Sequence, residues 1–171
     1  MNNTSSNGKE IKTPGPDHPI TISPAEGKVR VTVAGRIVAE STQALQLEEK
    51  GYPAVYYLPR RDADMSLLVR TTHYTYCPYK GDCTYYSIPI GGAKSEYAAW
   101  TYEKPYEAVA DIKEYLAFYL LRVDAIEVIA YSDCSAPLPR SANRISNGGT
   151  RLLRNSPLDI LTGWIAAEKP T

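Results

Sequence analysis

Within twelve residues, Thr75 to Tyr86, the chain gathers two thiols, an amine, a carboxylate and four phenols. They surround one turn, Pro78-Tyr79-Lys80-Gly81-Asp82. A thiol beside a base is a nucleophile, and the pair offered here is Cys77 with His73, four residues upstream. On one straight strand the two share a face, but at ~3.3 Å per residue their Cα atoms stand roughly 13 Å apart. Direct contact therefore needs a bulge, or a substrate between them. Lys80 followed by Gly81 is a tight basic turn of the kind that binds a phosphate or carboxylate. Each group also has a plain structural role: Cys77 as a small residue starting the turn, His73 as a hydrogen-bonded strand residue, Lys80 as a solvated turn cation. In a regular hairpin Cys83 faces Cys77 at ~4.5–5.5 Å between Cα atoms, within disulfide range.

Other sites of this kind fare less well. Asp62-x-Asp64 has the form of a magnesium-holding carboxylate pair, as nucleotidyl transfer requires. That chemistry also needs a phosphate cradle, and Gly91-Gly92-Ala93-Lys94-Ser95 lacks the glycine spacing of one; Asp62 serves equally as a turn cap. A structural zinc site wants four ligands, commonly from paired Cys-x-x-Cys knuckles. The chain has three cysteines, Cys77, Cys83 and Cys134, and no such pair. No metal and no cofactor are expected.

Fourteen tyrosines against one phenylalanine are unusual, because a buried tyrosine needs a partner for its hydroxyl. Tyr56 and Tyr57 straddle the two faces of a strand, as do Tyr85 and Tyr86, so one of each pair points inward. Tyr56, Tyr86, Trp100 and Tyr102 are the rings predicted to line a mostly apolar pocket with polar tips. The alternative is that they fill the space between sheets.

The elements that hold these groups read mostly as strands. Val29, Val31 and Val33 alternate with polar residues and Ala34-Gly35 turns the chain back, which predicts a hairpin. Ser41 caps a short helical turn through Leu45 and Leu47. Val55 to Leu58, Thr72 to Cys77, Cys83 to Ile88, Tyr97 to Tyr102 and Ala125 to Ala130 read as strands. Pro105 opens a helix whose apolar positions Tyr106, Val109, Ile112 and Leu116 predict a span of about 105–117. The fold class is mainly β (α+β): two antiparallel sheets with one principal helix. Residues 1–19 read as a disordered leader, 20–131 as the domain, and 132–171 as an irregular extension, ending in Leu158 to Ile165, that docks on it.

A zero formal net charge, from 19 basic and 19 acidic residues, argues against a nucleic-acid partner. No stretch approaches the ~18 apolar residues of a membrane span, and the first residues lack the apolar run of a secretory signal. A cytoplasmic setting follows, in which disulfides are unexpected. The partner expected is a small organic molecule, with a homodimer allowed by open strand edges.

From His18 to about Val128 the chain resembles the bacterial and fungal family called DUF427. The resemblance is carried by His18-Pro19-Ile20, Gly51 to Tyr57, Pro59-Arg60-Arg61-Asp62, Met65 to Leu68, His73 to Gly81, Ala99 to Glu103, Pro105, Ala117-Phe118-Tyr119 and Arg122-Val123-Asp124. It implies a β-tent (Mss4-like) fold, two antiparallel sheets meeting at an angle, as in methionine sulfoxide reductase B. The family has no established activity, although one of its names suggests a nucleotidyltransferase. Cys83 departs from the small residue the family usually carries, and nothing after Tyr131 matches. Residues and resemblance together lead to a small-molecule-binding protein, an enzyme using Cys77, His73 and Lys80 for thiol-assisted or acid–base chemistry with Asp62 positioning the loop. The alternative is a non-catalytic binding module.

Overall fold

A computed structural model describes residues 3–4, 8–131 and 150–152. Its strands are Asn3–Thr4 (β1), Glu10–Ile11 (β2), Ile20–Pro24 (β3), Lys28–Val33 (β4), Arg36–Ser41 (β5), Leu45–Glu49 (β6), Val55–Pro59 (β7), Val69–Cys77 (β8), Gly81–Ser87 (β9), Ala99–Thr101 (β10), Tyr115–Phe118 (β11), Ala125–Ile129 (β12) and Thr150–Leu152 (β13). A seven-stranded sheet runs β3-β6-β7-β11-β10-β9-β8, and a four-stranded sheet runs β13-β12-β4-β5. All pairings are antiparallel, with β1 and β2 forming a separate ribbon. The mainly β, two-sheet class predicted from the sequence is the class observed.

Alternation sets the layers. Val29, Val31 and Val33 of β4 are fully buried, while their polar neighbours stay half-exposed. Ala34 and Gly35 both take positive φ (50° and 72°), the twist a two-residue hairpin turn requires. The four-stranded sheet covers one face of the larger sheet, and Leu58, Tyr86, Ile88, Leu116 and Phe118 join the valines in an outer core. The opposite face of the large sheet carries a second, inner core of Leu47, Tyr57, Cys83, Tyr85, Trp100, Tyr102 and Ala117, roofed by Val109 and Ile112.

That roof corrects the predicted helix at 105–117. Glu107–Ile112 is 3-10 helix, Glu114 takes φ 61°, and Tyr115–Phe118 is a central strand. Tyr106, Val109 and Ile112 recur at intervals of three, which suits the three residues per turn of a 3-10 helix; Leu116 already belongs to the sheet. The helical turn expected after Ser41 is likewise β6, and the Ser41 hydroxyl accepts the Gln43 N–H at 2.9 Å instead. The described part of the leader lies against the β8–β9 turn. Lys12 N–H donates to the Pro78 carbonyl at 2.9 Å, Lys9 pairs with Asp82, and Tyr76 Oη donates to the Glu10 carbonyl. β13 pairs with β12 through its backbone; Cys134 and the run Leu158 to Ile165 lie outside the described residues.

Candidate functional site

The β8–β9 turn is tighter than its sequence suggests. Cys77 pairs with Gly81, leaving a three-residue loop of Pro78, Tyr79 and Lys80. Gly81 takes φ 103°, and a Cβ there would lie 3.2 Å from the Lys104 carbonyl oxygen. Cys83 consequently stands opposite Thr75, two positions further along, and does not face Cys77 directly. Both thiols are free, on the same face and against the inner core.

Lys80 is the buried cation of this turn, its side chain only 10% exposed. Its Nζ donates to Glu49 Oε2, and Glu49 Oε1 bonds His18 Nε2 at 2.8 Å. The His18 ring stacks on Tyr79 at 4.2 Å between centroids, with planes 16° apart. Glu49 ends β6, and three strands, β7, β11 and β10, lie between β6 and β9. At about 4.8 Å per strand a flat sheet would hold β6 and β9 roughly 19 Å apart. The ion pair forms only because the sheet curls round the inner core and brings opposite corners together.

Behind this corner lies a hydroxyl and thiol cluster. Tyr57 Oη accepts from Trp100 Nε1 at 3.3 Å, and Thr75 Oγ1 bonds Tyr85 Oη at 2.8 Å. Burial pushes the Tyr57 phenol well up, opposed by the Trp100 hydrogen bond, while the charges of Cys83, Glu49 and Cys77 add to the rise. Glu49 and Cys77 thus act on the same buried phenol. Tyr102 and Tyr85 are raised chiefly by burial as well. Burial pushes the Cys83 thiol up to about 11, against hydrogen bonds from Tyr85, Tyr102 and Thr75. At neutral pH Cys83 is a protonated packing group and a poor nucleophile.

The other sequence candidates divide between different places. His73 packs its ring against Tyr85 at 4.7 Å and Tyr97 at 5.1 Å; the imidazole at the Lys80 corner is His18, not His73. Asp62 accepts from Ser41 Oγ at 2.6 Å and lies 3.8 Å from Arg61 Nε. It helps join the two sheets on the outer-core side, beside the Ala39–Ala63 bridge, away from the face that carries Cys77. The four rings expected in one pocket fall on two faces. Tyr57, Ala117, Trp100 and Tyr85 are cross-strand neighbours, as are Phe118, Ala99 and Tyr86. Cross-strand neighbours share a face, so Trp100 and Tyr102 belong with Tyr57 and Tyr85 in the inner core, while Tyr56 and Tyr86 pack on the outer core.

Sequence reasoning missed His18 and Glu49 as site residues. His18 carried a signal, being one of only two histidines; Glu49, one acid among many, carried none. Among the described residues no group of three or more His, Cys, Asp or Glu could hold a metal ion, and no helix is long and apolar enough to cross a membrane.

The family model described as a domain of unknown function, DUF427, matches residues 21–129. The chain is a member of the DUF427 family. No curated protein matches it. The matched span contains Glu49, Cys77 and Lys80 but begins after His18. In this DUF427 protein the corner of the curled sheet is therefore completed by a residue just outside the matched span.

Proposed function

We propose that this DUF427 protein binds a small organic molecule at the Cys77–Lys80 corner and acts on it by thiol-assisted or acid–base chemistry. The observation that supports this most is the Lys80–Glu49–His18 chain built on the turn that Cys77 opens, with Cys77 itself packed against the inner core. A carboxylate bridging the Lys80 amine and the His18 imidazole fixes both in position, the geometry that acid–base chemistry needs. Cys77, half-buried at the strand end, is the nucleophile of this reading, and Lys80 orients an acidic group of the ligand or donates a proton to it. His73 and Asp62 have no part in it. The two sheets form the β-tent arrangement, and the setting is cytoplasmic, without nucleic acid or membrane. Self-association engages the β8 edge, which pairs with no further strand among the described residues and where Val69 and Tyr74 are exposed.

The test is incubation of the full chain with a deproteinised cell extract, following retention and conversion of small molecules by mass spectrometry. Wild type is compared with Cys77→Ala, His18→Ala and Lys80→Met, each checked for native melting. Conversion lost in Cys77→Ala with retention kept supports the enzyme. Retention with conversion that survives both Cys77→Ala and His18→Ala eliminates the catalytic assignment. One observation favours the non-catalytic alternative: among the described residues the open cleft beside Tyr97 has no thiol or lysine in its lining. Retention without conversion in any variant is its outcome, and no retained molecule at all removes both readings.

A further inference from the structure

At the far end of β9 from the turn lies a cleft of about 350 Å³, lined by Thr71, Ser87, Ile88, Pro89, Glu96 and Tyr97 together with a glycine. That volume is at the lower end of the range for small-molecule sites. Tyr97 adopts φ 50°, a conformation that is an outlier for a bulky side chain. Such outliers cluster at ligand sites and persist where the surroundings enforce them. Here the Tyr97 N–H donates to Ser87 Oγ at 3.0 Å and the ring is backed by His73. The strained backbone thus presents a half-exposed aromatic ring to the cleft.

The lining offers acceptors alongside the hydroxyls of Ser87 and Tyr97. Thr71 Oγ1 donates its proton to the Tyr85 carbonyl at 3.0 Å, leaving lone pairs. Ser87 Oγ already accepts from Tyr97. Glu96 supplies a carboxylate, and among the described residues no lysine or arginine lines the cleft. Two of the neighbouring cations are already engaged: Lys94 on Asp124 at 3.3 Å, and Arg122 on the Glu96 carbonyl and over the Tyr119 ring. A carboxylate and threonine lone pairs are best matched by a ligand that brings N–H donors and a positive charge. One that also covers Ile88, Pro89 and the Tyr97 ring must bring an apolar body, and ring faces attract cations.

We infer that this cleft is a second binding site, for a small primary or secondary organic ammonium ion with an apolar or aromatic body. It shares no residue with the Cys77–Lys80 corner, so the catalytic reading can fail without it, and it deepens the non-catalytic alternative, which rests on the same cleft. The experiment is a ¹⁵N NMR titration of the full chain at neutral pH with benzylammonium, and with benzyl alcohol and benzoate as controls of the same shape. Benzylammonium is expected to give saturable shifts at Thr71, Ser87 and Tyr97, with benzyl alcohol at least about ten-fold weaker, the scale of one lost charge-assisted contact. Benzoate is expected to give none. Glu96→Gln, at an exposed position that leaves the fold intact, should weaken benzylammonium by a similar factor. Equal binding of the three probes, saturation elsewhere, indifference to Glu96→Gln, or no saturation overturns the inference.

Discussion

Two thiols six residues apart in one hairpin have unlike surroundings. Cys83 is 1% exposed and its pKa is raised by burial to about 11 from an ordinary value of 9.0; Cys77 sits half-exposed at the strand end. A thiol whose folded pKa is raised stays protonated in the fold while the unfolded chain ionises. Its contribution is therefore intact below pH 9 and is lost as pH rises through about 11. Two pKa units correspond to about 2–3 kcal/mol, so the urea midpoint should fall across that window. Cys83→Ala should remove the fall that begins near pH 9, leaving the fall that the buried tyrosines cause from about pH 10 upward, where tyrosines of the unfolded chain ionise. An unchanged slope in Cys83→Ala would show that the thiol is not the group responsible. At this scale the sequence was legible for Cys77 and Lys80, whose place at a turn is local information. It was not legible for Glu49 or for the choice of His18 over His73, because those depend on how far the sheet curls.

Among the elements, the β8–β9 hairpin shows what one residue in a turn decides. The reactive residue types around it were readable from composition, yet the register was not. A five-residue turn would set Cys77 opposite Cys83; the three-residue loop sets it opposite Gly81. Gly81, with φ 103° and only 3.2 Å between a would-be Cβ and the Lys104 carbonyl, allows the shorter loop. Gly81→Ala should cost about 1–3 kcal/mol and displace Lys80 from Glu49, seen as a lower melting temperature and altered amide shifts of Glu49 and His18. A variant that melts like wild type with unmoved Glu49 would show that the turn tolerates a side chain and that the corner does not depend on it. The segment 105–117 illustrates the opposite case: its apolar spacing was visible, but a spacing of three fits 3-10 and α turns alike over so short a run. Which one forms is settled by the central position of β11 between β7 and β10.

For the molecule as a whole, the two-sheet class followed from alternation in Val29, Val31 and Val33 and from short strands punctuated by Pro and Gly. The packing of residues 8–12 against the turn did not, since a polar segment rich in Pro and Gly carries no periodicity. Those contacts are an exposed ion pair and a few hydrogen bonds, and solvent screens an exposed ion pair to little net effect. Deleting residues 1–12 should therefore lower the melting temperature only slightly, yet uncover the backbone beside Cys77. Alkylation of Cys77, resolved from the other cysteines by peptide mass spectrometry, should become several-fold faster. An unchanged rate would mean that the segment does not shield the thiol. The pairing of β12 with β4 has a consequence for biosynthesis. Residues 28–32 find their partners at 125–129, at the far end of the domain. While the chain is still on the ribosome, β4 and β5 can form a hairpin, but one flank of β4 stays open until Ile129 has cleared the exit tunnel. Such late, long-range pairing is slow and leaves a strand edge exposed. A nascent chain stalled before Ala125 would carry that open edge, an invitation to neighbouring chains on the same message.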